Sequence, residues 1–255
     1  MLAIERQNKI LANLQINQTA LVSDLSKEYR VTEETIRRDL EKLEKRGLIK
    51  KTYGGAVYGH DSNIDIPFRN RETAGQEENM QIARLAVSQI RDGETLMLDS
   101  SAASLCTARL LRQRVDLTII TNSIEILMNF VFIKNIKVIS TGGLLRKNDF
   151  ALAGAAAEQV LQNFHVDKTL ISCSAIHREY GLTEADEQEA QIRSLMAKSA
   201  KQIIGLVTSD KFDNVSFVHF MAVTQLHTLI TNESPNNNWK NYLKQNQVEL
   251  ITTVT

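Results

Sequence analysis

Two sets of residues in this chain combine side-chain type with a spacing that implies chemistry. The first is the adjacent pair Arg37-Arg38, followed by Lys50-Lys51. Adjacent guanidiniums present forks of N–H donors that match guanine edges and phosphate oxygens, and lysines add point charges for phosphate. The second set consists of small polar residues, each cluster closing a short apolar run. Asp99-Ser100-Ser101 follows residues 96–98, Thr121-Asn122-Ser123 follows 117–120, and Ser140-Thr141-Gly142-Gly143 follows 136–139. Hydroxyls and backbone N–H groups gathered in this way suit an anionic or polyhydroxylated ligand, although a Gly-Gly pair alone also reads as a plain turn. Asp99, Glu184, Asp186, Glu187, His165 and His177 are the candidate acid and base groups of a rival, enzyme reading. No carboxylate–histidine constellation with supporting spacing stands among them. Residues 184–187 read as a solvated loop entering a helix that contains Ala190 and Leu195, and His177 reads as part of a polar turn.

The arginine pair needs a helix to present it. Thr32 is placed to cap one, with Glu33 and Glu34 in its first turn where the helix dipole favours carboxylates. Ile36, Leu40 and Leu43 recur at helical spacing and give one apolar face, while Arg37 and Arg38 project from another. Upstream, a first amphipathic helix carries Ile10, Leu11 and Leu14. A second short helix carries Leu21, Leu25 and Tyr29, and Arg30-Val31 makes the turn into the third. Gly47 stops that third helix, and residues 48–53 and 54–57 form two extended runs around Lys50 and Lys51, a β-wing. The pattern is a winged helix-turn-helix, with Thr32, Glu34, Thr35, Arg37, Arg38, Lys50 and Lys51 as the candidate DNA-contacting set. An ordinary three-helix subdomain with a solvated charged face is the bland alternative.

The second set needs a sheet. After a polar stretch over 58–76 containing Ile66-Pro67-Phe68, short apolar runs alternate with helical patterns. Helices are expected over 79–91, 102–111 and 124–132. Strands are expected at 96–98, 117–120, 136–139, 169–171, 203–207 and 228–230. Apolar strands separated by helices imply a largely parallel sheet covered on both faces. Ligands bind such sheets at the carboxyl ends of the strands, where the small polar clusters lie. The expected organisation is therefore 1–57 as the DNA-binding domain, 58–76 as a linker, and 77–255 as an effector-binding domain.

Composition agrees with this division. The 255 residues carry 30 basic and 30 acidic side chains, but positions 1–59 hold 11 basic against 8 acidic, which puts the positive excess on the helix-turn-helix. The two cysteines, Cys106 and Cys173, sit among apolar or small residues without metal-ligand spacing and read as inert, reduced thiols. No metal and no cofactor is expected, and the absence of a signal peptide or a membrane-length apolar run points to a cytoplasmic protein with no membrane partner. Aromatic residues are too scarce for a single-stranded RNA platform.

The segment from Ile10 to Val57 resembles the N-terminal domain of the DeoR family of bacterial transcriptional regulators. The resemblance rests on Thr32, on Thr35 through Leu40, on Leu43-Glu44, Gly47 and Gly54-Gly55-Ala56. It extends to about residue 231 through Asp92-Gly93, Asp99, Thr121-Asn122-Ser123, Gly142-Gly143, Arg146, Gly154, Gly181, Lys211-Phe212 and Ile230-Thr231. It implies a regulator, usually a repressor, of a carbohydrate catabolic operon, and a homo-oligomer is expected because a monomeric winged helix reads only a short half-site of the operator. It also implies a sensor domain similar to ribose-phosphate isomerase, glucosamine-phosphate deaminase and CoA-transferase folds, controlled by a phosphorylated sugar or related metabolite; the rival enzyme reading is accordingly a sugar-phosphate isomerase or deaminase carrying a helical extension. The carried-over effector residues are Asp99, Asn122, Gly142, Gly143 and Lys211, with Ser100 and Ser101 beside them. Thr32 replaces the family's usual serine conservatively, Asn232 stands where the family often has aspartate, and two motifs depart further. The family's D-x-G-T-T is here Asp99-Ser100-Ser101-Ala102-Ala103, and Asp210 stands beside Lys211 where the family has serine.

Overall fold

The computed structural model describes residues 3–17, 19–45, 48–52, 54–58, 75–146 and 149–253. The chain divides into two compact units, Met1–Arg71 and Glu72–Thr255. Gly47, Tyr53 and most of the expected linker, including Ile66-Pro67-Phe68, lie outside the described residues, as does the side chain of Lys50.

In the first unit, helices α1 (Ala3–Asn17), α2 (Val22–Tyr29) and α3 (Glu33–Lys45) pack with strands β1 (Thr19–Leu21), β2 (Ile49–Thr52) and β3 (Gly55–Tyr58). Ile10 and Leu14 of α1, Leu25 of α2, and Ile36, Leu40 and Leu43 of α3 close one core with Ile49 and Ala56 of the wing. Arg30 ends α2 in the left-handed conformation (φ 52°), which turns the chain sharply into α3. The wing is antiparallel, β2 pairing with β3 from Ile49↔Tyr58 to Thr52↔Gly55.

The short strand β1 was not expected. It pairs with the other side of β3 and sends Leu21 to solvent at 55% exposed, so the apolar anchor of α2 is Val22 instead. Gly55 makes this pairing possible, because a Cβ there would lie 2.1 Å from the Ala20 carbonyl oxygen.

The second unit is built on a sheet of seven parallel strands. In chain order they are β4 (Thr95–Leu98), β5 (Thr118–Thr121), β6 (Lys137–Ser140), β9 (Val166–Ile171), β12 (Ala200–Leu206), β14 (Thr228–Thr231) and β15 (Glu249–Thr252). Across the sheet the order is β15-β14-β12-β9-β4-β5-β6. Successive strands add outward from β4 on one side and from β9 on the other, so the winding direction reverses between β4 and β9.

Both faces are covered, and alternate residues of each strand serve opposite cores. Leu96, Leu98, Ile119, Leu170, Ile204 and Ile230 pack under α4 (Gln76–Ser88), α5 (Ala102–Leu111) and α6 (Ile124–Phe130). Met97, Ile120, Ile171, Ile203 and Leu229 pack under α7 (Ala155–Gln162), α8 (Glu187–Lys198) and α9 (Asn237–Gln245). This two-sided burial is why the strands read as continuous apolar runs. The helix expected over 124–132 stops at Phe130, and Val131 and Phe132 are exposed.

Two antiparallel additions complete the unit: the hairpin of β7 (Leu144–Arg146) with β8 (Ala151–Ala153), and a three-stranded sheet of β10 (Ala175–His177), β11 (Gly181–Glu184) and β13 (Val218–Met221). Among the described residues, no helix is long and apolar enough to cross a membrane.

Candidate nucleic-acid interface and effector site

Thr32 caps α3 as its type and position imply, its Oγ1 accepting from Thr35 N at 3.3 Å and lying 2.9 Å from Thr35 Oγ1. Arg37 and Arg38 stand on the solvent side of the helix, with side chains 57% and 74% exposed. Each is held one turn back along the helix, Arg37 Nη2 to Glu33 Oε2 at 3.1 Å and Arg38 Nε to Glu34 Oε1 at 3.3 Å. Exposed i,i+4 pairs of this kind are worth only a few tenths of a kcal/mol, about 0.3–0.5, so both guanidiniums are readily released to another anion. Lys51 joins the wing to the helix, its N–H donating to Glu44 Oε1 at 2.8 Å and its Nζ lying 3.6 Å from Glu41 Oε1.

In the second unit, the polar clusters gather at the carboxyl ends of β4, β5, β6, β9 and β12. Asp99 closes β4 at the point where the winding reverses, and its carboxylate is a hub. Oδ1 accepts from Ser101 Oγ at 2.6 Å, Ser101 N at 3.2 Å and Ser104 Oγ at 2.5 Å. Oδ2 accepts from Ser172 N at 2.9 Å and Arg193 Nε at 2.8 Å. Burial disfavours the charged form, but Arg193, the two hydroxyls and the Ser172 N–H outweigh it and hold the carboxyl below its ordinary range. Ser101 also caps α5, accepting from Ser104 N.

Lys211 lies in the turn after β12 and donates from Nζ to Ser172 Oγ at 3.2 Å, so it reaches the same reversal point from the far side. Asp210, its neighbour in the chain, is exposed to solvent, and no ion pair between the two is present among the described residues.

The β5 and β6 clusters sit differently. Thr121, Asn122 and Ser123 are buried against β8, where Asn122 O accepts from Leu152 N at 2.7 Å and Asn122 Nδ2 donates to Leu152 O at 3.2 Å. Asn122 Oδ1 is buried without a hydrogen-bond partner. Gly142 and Gly143 are exposed in the turn into β7. Gly143 has φ 111°, and a Cβ on it would lie 2.5 Å from the Ala153 carbonyl oxygen, so only glycine lets the hairpin close over this edge.

The enzyme candidates are structural in their surroundings. Glu184 is not part of a solvated loop: it ends β11 at 2% exposed, 2.5 Å from Arg193 Nη1, with Ser174 Oγ donating to its Oε2 at 2.6 Å. Strand pairing with β10 and β13 draws it inward, which residue polarity alone does not reveal. Asp186 caps α8 by accepting from Gln188 N and Glu189 N. Glu187 and His165 are exposed, and His177 Nδ1 accepts from Glu179 N in the turn after β10.

Residues outside the sequence-derived site complete the surroundings of Asp99. Arg193 of α8 also binds Glu189 Oε2 at 2.8 Å, and Glu189 faces Arg146 and Asp149 of the hairpin. Arg146 in turn contacts Asp149 at 2.9 Å and Asp186 at 2.5 Å. Burial, then the hydrogen bond with Asp149, pushes Glu189 up to about 7. Five carboxylates thus share two guanidiniums. A basic residue set among Ala190, Ile192, Leu195 and Met196 was the available signal for a buried partner. Cys173 lies at this edge with burial pushing its thiol up to about 12, which keeps it protonated and unreactive.

The DeoR-like helix-turn-helix domain profile matches residues 6–62, and the DeoR C terminal sensor domain profile matches residues 75–233. The chain belongs to the DeoR family. It is a sequence-specific DNA-binding transcriptional regulator of that family, with an N-terminal helix-turn-helix and a C-terminal α/β sensor domain. It is 36% identical to the uncharacterized HTH-type transcriptional regulator YulB of Bacillus subtilis (strain 168), over 91% of this chain and 89% of that one. It is 35% identical to the HTH-type transcriptional repressor GlcR of the same organism, over 88% and 86%. Among solved structures it is similar to ribose 5-phosphate isomerase A from Methanocaldococcus jannaschii, with a TM-score of 0.41 at 16% identity, covering 54% of this chain and 55% of that one.

Proposed function

We propose that this DeoR-family regulator is a repressor of a carbohydrate catabolic operon, released or engaged by a phosphorylated sugar or related metabolite. The observation that carries the DNA half is the exposure of Arg37 and Arg38 on a capped helix beside a β-wing. In this reading Arg37 and Arg38 contact bases and phosphates, Thr32, Glu34 and Thr35 line the start of the helix, and Lys50 and Lys51 of the wing touch backbone. The functional division is 1–57, 58–76 and 77–255, and the protein works in the cytoplasm, where bacterial operators are. It binds double-stranded operator DNA as a homo-oligomer, because one winged helix reads only a short half-site.

The effector site consists of Asp99, Ser100, Ser101, Asn122, Gly142, Gly143 and Lys211. Within it the roles divide. Asp99 and Ser101 are engaged with each other and with α5, and Asp99 also with Ser172 and with Arg193 of α8, so they shape the loop. Ser100, Lys211 and the orphan N–H groups that open α5 supply contacts to an anion. No turnover of the metabolite is expected, since Asp99 and Glu184 are tied to Arg193 and Asp186 to Arg146, leaving Glu187 as the exposed candidate carboxylate.

Footprinting the full-length protein on the DNA upstream of neighbouring catabolic genes, with and without a panel of sugar phosphates, tests the reading. Salt-sensitive protection of a symmetric site, altered by one of the metabolites, is the expected result. Turnover of a sugar phosphate without any protected DNA would overturn it. Light scattering that shows only monomer, with and without the protected duplex, would remove the oligomer.

A further inference from the structure

The recognition helix carries one charge on its core side. Ile36, Leu40 and Leu43 form the buried stripe of α3, and Asp39 lies among them at 2% exposed. Both carboxylate oxygens are engaged by α1: Arg6 Nε donates to Oδ2 at 2.6 Å and Gln7 Nε2 donates to Oδ1 at 2.8 Å. Arg6 and Gln7 are themselves 8% and 6% exposed. A buried ion pair is a poor source of net stability, because the desolvation of both charges offsets their attraction, and apolar side chains of similar volume serve as well or better.

What the clasp supplies is direction. Apolar contact is non-directional and lets a helix roll within its groove. Two hydrogen bonds to one planar carboxylate oppose rotation of α3 about its axis. Arg37 and Arg38 directly precede Asp39 in the helix. At a helix radius with side chains of about 5–6 Å, a roll of roughly 20° carries a guanidinium about 2 Å. That is more than a hydrogen bond to a base edge tolerates.

We propose that Asp39, held by Arg6 and Gln7, is a positioning residue for operator reading. Its clasp sets the roll of α3 and therefore which base edges Arg37 and Arg38 meet. It governs discrimination between operator and other DNA, not affinity for DNA in general. The inference rests on the reading that Arg37 and Arg38 contact bases.

The test uses full-length protein and two duplexes of equal length: the sequence enriched from a random pool by the unaltered protein, and its scramble. An Arg6→Met/Asp39→Leu double variant replaces the clasp with an apolar pair. It is expected to melt cooperatively, to bind the scramble as the unaltered protein does, and to lose at least about tenfold in the operator-to-scramble affinity ratio, which corresponds to roughly 1.4 kcal/mol. When the double variant is used for a fresh selection, the enriched bases should change at the positions facing α3. An unchanged ratio overturns the proposal, and so does an equal loss on both duplexes. If the double variant does not fold, Gln7→Leu decides, because it keeps the ion pair and removes one of the two hydrogen bonds. A several-fold fall in the ratio supports the clasp, and an unchanged ratio ends it. An Arg37→Ala/Arg38→Ala variant run alongside separates the two failures. Full operator affinity there sinks the recognition reading itself, whereas loss there with an unaltered ratio in the Asp39 variants sinks only the positioning role.

Discussion

Arg193 Nε lies 2.8 Å from Asp99 Oδ2, although the two residues are 94 positions apart in the chain. The contact crosses the point where the sheet reverses its winding, and it ties α8 to the loop that opens α5. Arg193 is the shared counter-charge of Asp99, Glu184 and Glu189, and burial works against its charge less than those three carboxylates favour it. Replacing Arg193 with Met would leave the three acids facing one another in a dry site. A loss of about 3–5 kcal/mol is expected, the usual cost of removing one partner from a buried pair. Chemical denaturation of the sensor unit checks this, and a variant as stable as the unaltered protein would show that the cluster is neutralised in another way.

The same cluster predicts a pH dependence with a definite sign. Glu189 is raised from 4.5 to about 7 in the folded protein. The folded state therefore holds a proton that the unfolded chain releases, and stability falls as pH rises from about 4.5 to 7. Asp99 and Asp149 are held low and act in the opposite direction, losing their contribution only as pH falls below the ordinary carboxylate range. Melting temperatures between pH 5 and 8 should decline for the unaltered protein. Glu189→Gln should flatten that decline, and an equal slope in both proteins would exclude Glu189 as its source.

On the DNA side, Arg37→Ala and Arg38→Ala are each expected to cost about 1–3 kcal/mol of operator affinity and to relax base preference at one position. Lys51→Ala should weaken binding to every sequence alike and reduce the salt dependence by about one counterion. Filter binding across a salt series distinguishes the two behaviours. A Lys51 variant with altered base preference would move the wing from backbone to base contact.

For the effector edge, Lys211→Ala is expected to abolish calorimetric binding of an anionic sugar derivative without lowering the melting temperature, because among the described residues its side chain makes a single hydrogen bond, to Ser172 Oγ. Screening sugar phosphates, free sugars and sugar acids against both proteins supplies the comparison. Binding that survives the substitution would place the ligand's charge elsewhere, at the N-terminus of α5. Allosteric coupling of the usual size, about 1–3 kcal/mol, would shift operator affinity roughly 5–150-fold.

Local signals in the amino-acid sequence determined much of this protein. The cap at Thr32, the apolar stripe of α3, the exposed arginines, the wing around Lys50-Lys51 and the parallel strands with polar ends all depend on neighbours a few residues apart, so periodicity and residue type report them directly. Long-range pairing decided the rest. Strand β1 has three residues, too few for a periodic signal, and exists because Gly55 of β3 admits the Ala20 carbonyl. Glu184 looks solvated in a run of acids and is buried because β11 lies between β10 and β13. Asp39 and Asp99 find their arginines on distant segments, and Asn122 is covered by a hairpin that begins beyond β6. A charge on an apolar stripe signals that a partner must exist, because burying it alone is too costly. Which residue serves as that partner depends on how the elements pack, and that is settled only when the whole chain has folded.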